Sequence, residues 1–237
     1  MKQLPDRPGI SREISRRGLM ISGAAMAVAA ALPLRSAASA IPDPLAFQIV
    51  RDGDVIGRHA LNFRREKDAL HVDIEIDIEI NFAFITLFRY SHRNHEVWRD
   101  GRLIALDTRT DDDGDEFQVH ARASDDTLWI SGVDGNIVAP GDILPTSYWD
   151  PRTPAQARLL DTQRGRVLDV QVADAGADML KLRDTEIAAS KYVISGDLNL
   201  DLWYTMAGDW IKIAFEARGE TVEYTPLMPA GGNRLTE

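Results

Sequence analysis

Residues 70–80 read Leu-His-Val-Asp-Ile-Glu-Ile-Asp-Ile-Glu-Ile, with an apolar side chain at every even position and a polar one at every odd position. Side chains of a β-strand point alternately to opposite faces, so this run describes a strand with one buried and one solvated face. A helix would scatter the same isoleucines around its circumference. At about 3.3 Å per residue the run spans about 36 Å, so the domain that holds it is built on long strands. The pattern continues through Asn81-Phe82-Ala83-Phe84 and changes phase at Ile85-Thr86-Leu87-Phe88. That change predicts a bend or break, with the strand resuming to about Tyr90. The acids between Asp73 and Glu79 could form a cation ladder, but they read better as a solvated face whose charge resists edge-to-edge pairing.

Turn signals recur at hairpin spacing: Asp52-Gly53, Asp100-Gly101, Asp113-Gly114, Asp134-Gly135-Asn136, Arg164-Gly165, Ala207-Gly208-Asp209 and Arg218-Gly219. Asp-Gly supplies the positive φ angles that tight hairpins require. The runs between them, such as Leu103–Thr110, Glu116–Ala123, Leu198–Thr205 and Trp210–Arg218, carry strand character. About twelve to fourteen short strands with turns every 8–12 residues predict an all-β domain. The expected architecture is a curved antiparallel sheet forming a half-barrel or barrel. One short helix is expected over Thr153–Leu160, with Thr153 as cap and Pro154 in the first turn.

The N-terminal forty residues have a different character. Lys2, Arg7, Arg12, Arg16 and Arg17 precede a mildly apolar stretch, Gly18–Leu34, and Ala38-Ser39-Ala40 follows. The Arg16-Arg17 pair and the small-residue site at Ala38 and Ala40 predict a twin-arginine signal peptide over residues 1–40, cleaved before Ile41. The stretch is shorter and less apolar than the ~20 residues of a membrane-spanning helix. A periplasmic location, a partner in the twin-arginine export machinery and a mature form that does not span the membrane are the expectations. A single β domain over residues 41–237 would remain, with a frayed tail from Pro229. Those 197 residues hold 21 basic and 35 acidic side chains, a net charge of −14. Such a surface argues against nucleic acid and anionic lipid surfaces as partners. The chain has no cysteine, which rules out disulfides, thiol catalysis and thiolate metal sites.

No motif names a chemistry. Asp111-Asp112-Asp113-Gly114-Asp115-Glu116 is the densest acidic cluster, but aligning Gly114 with the glycine of a calcium loop puts Arg109 and His120 at ligand positions. It reads as a polar hairpin loop. His92 and His95 resemble metal ligands, but a three-residue gap on a strand sends them to opposite faces; His71 and His120 show no sign of joining them, and no metal is expected. No G-x-S-x-G elbow, Walker loop or dinucleotide fingerprint occurs, so no cofactor is expected. Ser147, in Leu144-Pro145-Thr146-Ser147-Tyr148-Trp149-Asp150-Pro151, lies in what reads as a rigid loop whose Tyr148 and Trp149 plug one end of the sheet. Aromatic side chains lie mostly on strands or at their ends, as in a core or around an apolar ligand.

Three stretches carry a resemblance to a known family. They are Phe88-Arg89-Tyr90 with Glu96-Val97-Trp98-Arg99-Asp100-Gly101-Arg102-Leu103, then Leu144–Trp149, then Tyr192, Gly196-Asp197-Leu198 and Leu202-Trp203-Tyr204, closing with Trp210 and Phe215. In order and spacing the chain resembles the bacterial exported family DUF6134, itself similar to the larger DUF3108 group. The resemblance implies export and a β-rich fold and assigns no activity. Its sheet is similar to the half-barrels of periplasmic lipoprotein carriers. Three functional readings follow. The first is a carrier of an apolar or amphipathic small molecule or lipid, with Trp98, Tyr148, Trp149 and Trp203 at the ligand. The second is a hydrolase or isomerase near the Pro145–Pro151 loop, using Asp150 with His92 or His95. The third is an envelope assembly partner that uses a sheet edge.

Overall fold

The computed structural model describes residues 41–82, 85–182 and 185–227. The expected signal segment with Arg16, Arg17, Ala38 and Ala40, the tail from Pro229, and Phe84 lie outside the described residues. Fifteen strands occur among those described: β1 (Leu45–Arg51), β2 (Asp54–Glu66), β3 (Ala69–Phe82), β4 (Ile85–Arg99), β5 (Arg102–Asp112), β6 (Asp115–Ser124), β7 (Thr127–Gly132), β8 (Gly135–Pro140), β9 (Leu144–Pro145), β10 (Arg158–Leu160), β11 (Val167–Leu182), β12 (Thr185–Gly196), β13 (Leu200–Thr205), β14 (Trp210–Ala217) and β15 (Glu220–Pro226). No described helix is long and apolar enough to cross a membrane.

All fifteen strands belong to one sheet, in the order 8-7-6-5-4-3-2-1-15-14-13-12-11-10-9. The ladders are antiparallel except for the short parallel pair of β9 with β10. The tight turns use the expected chemistry: Asp52-Gly53, Asp100-Gly101, Asp113-Gly114 and Arg218-Gly219 each have positive φ at both residues, the type I′ geometry that matches strand twist.

Curvature follows from connectivity. The outer strands β8 and β9 are separated in the chain only by residues 141–143. Such a link reaches about 14 Å at most, so the sheet curls until its two ends approach. Register shifts in the β1–β2, β3–β4, β4–β5, β11–β12 and β13–β14 pairs bend it. The ends then touch without a shared ladder. The Val133 amide donates to the Arg164 carbonyl at 2.9 Å, and Arg166 pairs with Asp134 at 2.5 Å. Gly132 is required at this seam, because a Cβ there would strike the Arg164 carbonyl oxygen and sit 2.8 Å from the Gly165 Cα. The result is a barrel-like sheet that does not close.

The inner face holds the main core, with Phe47, Leu61, Val72, Leu106, Val119, Leu128, Leu159, Leu202 and Trp210 among its most buried members. A smaller cluster, Leu180, Leu182, Ile187, Ala189, Trp203 and Ile211, packs separately.

The alternating run is β3, with Ile74 buried and Ile76 and Ile78 partly buried against the main core. The phase change falls at the β3–β4 hairpin, with a register shift between Ile80 and Asn81. Beyond the turn the chain does not stop near Tyr90 but runs as one strand to Arg99. The expected helix over Thr153–Leu160 is a single 3₁₀ turn, Thr153–Ala155; Gln156 is already extended. Leu159 and Leu160 pair on both sides, with β11 and with β9, and this sheet pairing overrides the local helix signal.

Candidate ligand-binding site

The inward side chains of β4 are Tyr90, His92, Asn94, Glu96 and Trp98, all of them buried. Strand alternation sends the intervening Ser91, Arg93, His95 and Val97 to the other face. This places a polar file inside the barrel. Glu96 is its most enclosed member, at 0% exposure. Its carboxylate accepts the indole N–H of Trp98 at 2.9 Å and of Trp149 at 3.0 Å on one oxygen, and the Asn94 amide at 2.9 Å on the other. Burial raises its pKa above the usual carboxylate range, against the pull of these bonds and one from Ser147. The two indoles meet edge to face with centroids 5.2 Å apart. Glu96 thus anchors the loop that follows β9 to the barrel wall.

His92 shares a hydrogen bond of 2.8 Å with the Thr110 hydroxyl. His59, on β2, lies in the row beside it, with only Ile76 between them in register. Neither ring nitrogen of His59 has a partner, nor does the Tyr90 hydroxyl or the Asn94 carbonyl oxygen. Phe47, Trp210 and Tyr224 surround the His59 ring. Burial, with a smaller effect of His92, lowers the His59 pKa to about 3. Burial also lowers that of His92, to about 4. Both are neutral at pH 7.

On the Tyr90 side of this file the interior is not filled. A cavity of about 230 Å³ lies between Ile76, Ile78 and Ile80 of β3, Phe88 and Tyr90 of β4, Ile56 of β2, Phe215 and Ala217 of β14, and Val222 and Tyr224 of β15. Arg51, Arg218 and Gln163 complete its wall. Gln163 comes from the 161–166 segment that enters the barrel end, where the Thr108 hydroxyl donates to the Thr162 carbonyl at 2.7 Å. The β3–β4 hairpin runs past its neighbours at the cavity: β2 pairs only as far as Ile78, and β5 only as far as Tyr90. Ile85 and Leu87 on this projection are exposed.

The four aromatic residues expected at a ligand do not line this cavity. Trp98 and Trp149 are bound to Glu96. Tyr148 has φ +60° and packs on Trp210 at 5.9 Å, its carbonyl accepting the Tyr204 hydroxyl at 2.6 Å. Trp203 belongs to the smaller cluster; its indole donates to Asp178 at 2.8 Å, and Lys191 and Lys212 lie over its ring. None of the four lines the cavity. The cavity instead uses isoleucines of the alternating strand, which read only as core, and Arg218, which read only as a turn residue.

The expected catalytic grouping does not assemble. Asp150 binds Arg152, with its shortest contact at 2.5 Å. His92 faces inward, whereas His95 is on the outer face, 2.5 Å from Asp73 and 3.3 Å from His71. Ser147 is buried beside Glu96 rather than beside a histidine. Outside the barrel, Asp73, His95, Asp107 and His120 stand side by side on consecutive strands, and Asp107 also receives Arg122. Among the described residues no group of three or more His, Asp or Glu side chains is placed to hold a metal ion. The acidic cluster is the β5–β6 turn, where the Gly114 amide donates to Asp111.

The family model of DUF6134, a domain of unknown function, matches residues 47–227. The chain belongs to the DUF6134 family. The match covers every strand except the first two residues of β1, so the cavity and the Glu96 anchor both lie within the family domain. No curated protein matches the chain. Among solved structures it is similar to the crystal structure of a beta-barrel-like protein of the domain of unknown function DUF1849 from Brucella abortus, with a TM-score of 0.57 and 10% identity. That likeness covers 79% of this chain and 96% of the other. It extends the barrel-like fold to a second family and carries no function with it.

Proposed function

We propose that this DUF6134 protein is a periplasmic binding or carrier module for a small apolar or amphipathic ligand. The cavity beside Tyr90 carries the reading. Protein interiors are packed to crystal density, with few voids larger than a water molecule. This one, half open to solvent, measures about 230 Å³, more than the roughly 150 Å³ of a sealed apolar cavity that takes up benzene. It is smaller than the ~300–1,000 Å³ of most drug-sized sites, so it suits one ring or the end of one alkyl chain.

N-phenyl-1-naphthylamine, a neutral dye that brightens in apolar surroundings, tests this. The protein should bind it, and octane-length alkyl ligands should displace it. Ile78→Trp puts an indole into the cavity and should weaken dye binding about ten-fold or more, as expected when a fitted apolar contact is replaced by a clash. Its melting temperature should not fall, because a void is being filled. Equal binding by wild type and variant would place the ligand elsewhere, and no binding by either would end the carrier reading.

The periplasmic part of the proposal, and with it the kinship to DUF3108, rests on the sequence. Arg16 and Arg17 precede a mildly apolar stretch and a small-residue cleavage site. Changing both arginines to lysine should leave the full-length chain in the cytoplasm on fractionation. Undiminished periplasmic recovery would remove the twin-arginine assignment.

A further inference from the structure

We infer that the ligand of this cavity is a single-chain amphiphile with an anionic head, held by Arg218 at the cavity wall. The inference rests on the carrier reading and specifies its substrate class. The wall is apolar apart from Arg51, Gln163, Arg218 and the two tyrosines, Tyr90 and Tyr224. The two cations differ in one respect. Arg51 is paired with Glu220, whereas Arg218 has no carboxylate partner among the described residues. Its guanidinium lies over the Phe88 ring, 5.1 Å from the centroid, and such stacking leaves the N–H edge free to donate.

Arg218 also holds a backbone position that costs energy. It is the first residue of the β14–β15 turn, with φ +55°, a region where asparagine, aspartate and glycine are at ease and a long side chain is not. Four other hairpin turns place Asp in the same position, at Asp52, Asp100, Asp113 and Asp125, and one places Lys67 there. Arg218 is the one of these turn residues that lies at the wall of the apolar cavity.

Charge complementarity selects the occupant. The residues after position 40 carry a net −14, so the protein as a whole repels anions. An unpaired cation beside an apolar cavity offsets this locally and offers a charge-assisted bond to a carboxylate or phosphate head. A cationic head would meet Arg218 at close range, and an uncharged head would leave the guanidinium unused. The alkyl chain then lies against Ile78, Ile80 and Val222.

Displacement of N-phenyl-1-naphthylamine by dodecanoate, dodecanol and dodecyltrimethylammonium tests the inference. Wild type should prefer dodecanoate to dodecanol by about ten-fold, the scale of one charge-assisted hydrogen bond. The preference should shrink as sodium chloride is raised. Dodecyltrimethylammonium should bind most weakly. Arg218→Asn suits the positive φ, so the turn should survive; it should lose most of the acid-over-alcohol ratio, and Arg218→Lys should keep part of it. Equal affinity of wild type for all three ligands, or an unchanged ratio in Arg218→Asn, would overturn the anionic head and leave the carrier reading standing. No displacement by any of the three would remove both. Tight binding to phosphatidylglycerol vesicles with no displacement by free dodecanoate would assign Arg218 to a membrane surface and overturn the inference in this form.

Discussion

Stability should fall steeply between pH 6.5 and 4.5, and His59→Leu should make that fall shallower. His59 and His92 have folded-state pKa values of about 3 and about 4, below the ordinary 6.5. Between those limits the unfolded chain binds protons that the folded chain does not, so stability is complete above pH 6.5 and drains away on acidification. Each group contributes a slope of about 1.4 kcal/mol per pH unit, so by pH 4.5 the two remove about 5 kcal/mol. A domain of this size is stable by only about 5–15 kcal/mol. Glu96 and Asp161 work in the opposite direction, since burial raises their carboxyl pKa. The cleaner measurement is therefore the difference between wild type and variant. Urea unfolding at several pH values should show His59→Leu flatter by about 1.4 kcal/mol per unit. At pH 7.5 the variant should be no less stable, because it removes two buried ring nitrogens that lack partners. Parallel pH profiles for the two proteins would mean that His59 is not held neutral in the fold.

These histidines also show where a sequence stops being legible. In Leu70–Ile80 one face is apolar and the other acidic, so the strand, its phase and its buried side can be read directly. Residues 90–99 alternate equally well, but Tyr90, His92, Asn94 and Glu96 on one side and Ser91, Arg93 and His95 on the other are nearly all polar. Only the fold shows that the first set is interior. The opposite-face placement of His92 and His95 could be foreseen, because it needs nothing beyond strand geometry. The placement of the tryptophans could not: Trp203 lies between Leu202 and Tyr204, so either face would accept it. A cavity is harder still, since it is the absence of a side chain where several strands meet. Ile78 is written no differently from Ile74, although Ile74 is buried and Ile78 lines the void. Arg218-Gly219 was recognisable as a turn, but nothing local says what that turn overhangs.

At Glu96 two substitutions should have opposite effects. Glu96→Ala strands the indole N–H groups of Trp98 and Trp149 and the Asn94 amide, all of which now donate to this carboxylate. Each buried donor left unpaired costs about 1–3 kcal/mol, with some relief from water entering the space, so a loss of about 3–5 kcal/mol is expected. Glu96→Gln keeps an acceptor for the two indoles. Its new amide group faces Asn94, whose carbonyl oxygen is buried and without a partner. Rotating the Asn94 amide by half a turn would make that oxygen the acceptor and put its NH2 group in the unpartnered place, so the polar file keeps the same number of satisfied groups. The glutamine also removes a charge that the site tolerates poorly. Because burial raises the Glu96 pKa above its unfolded value, its ionisation costs stability as pH rises from about 4.5 through the folded pKa. The advantage of Glu96→Gln should therefore grow over that range and level off above it. At pH 8 the expected order by thermal or urea unfolding is Glu96→Gln, then wild type, then Glu96→Ala. If Glu96→Gln falls to the level of Glu96→Ala, the carboxylate is held by its charge and not by its place as an acceptor among Trp98, Trp149 and Asn94.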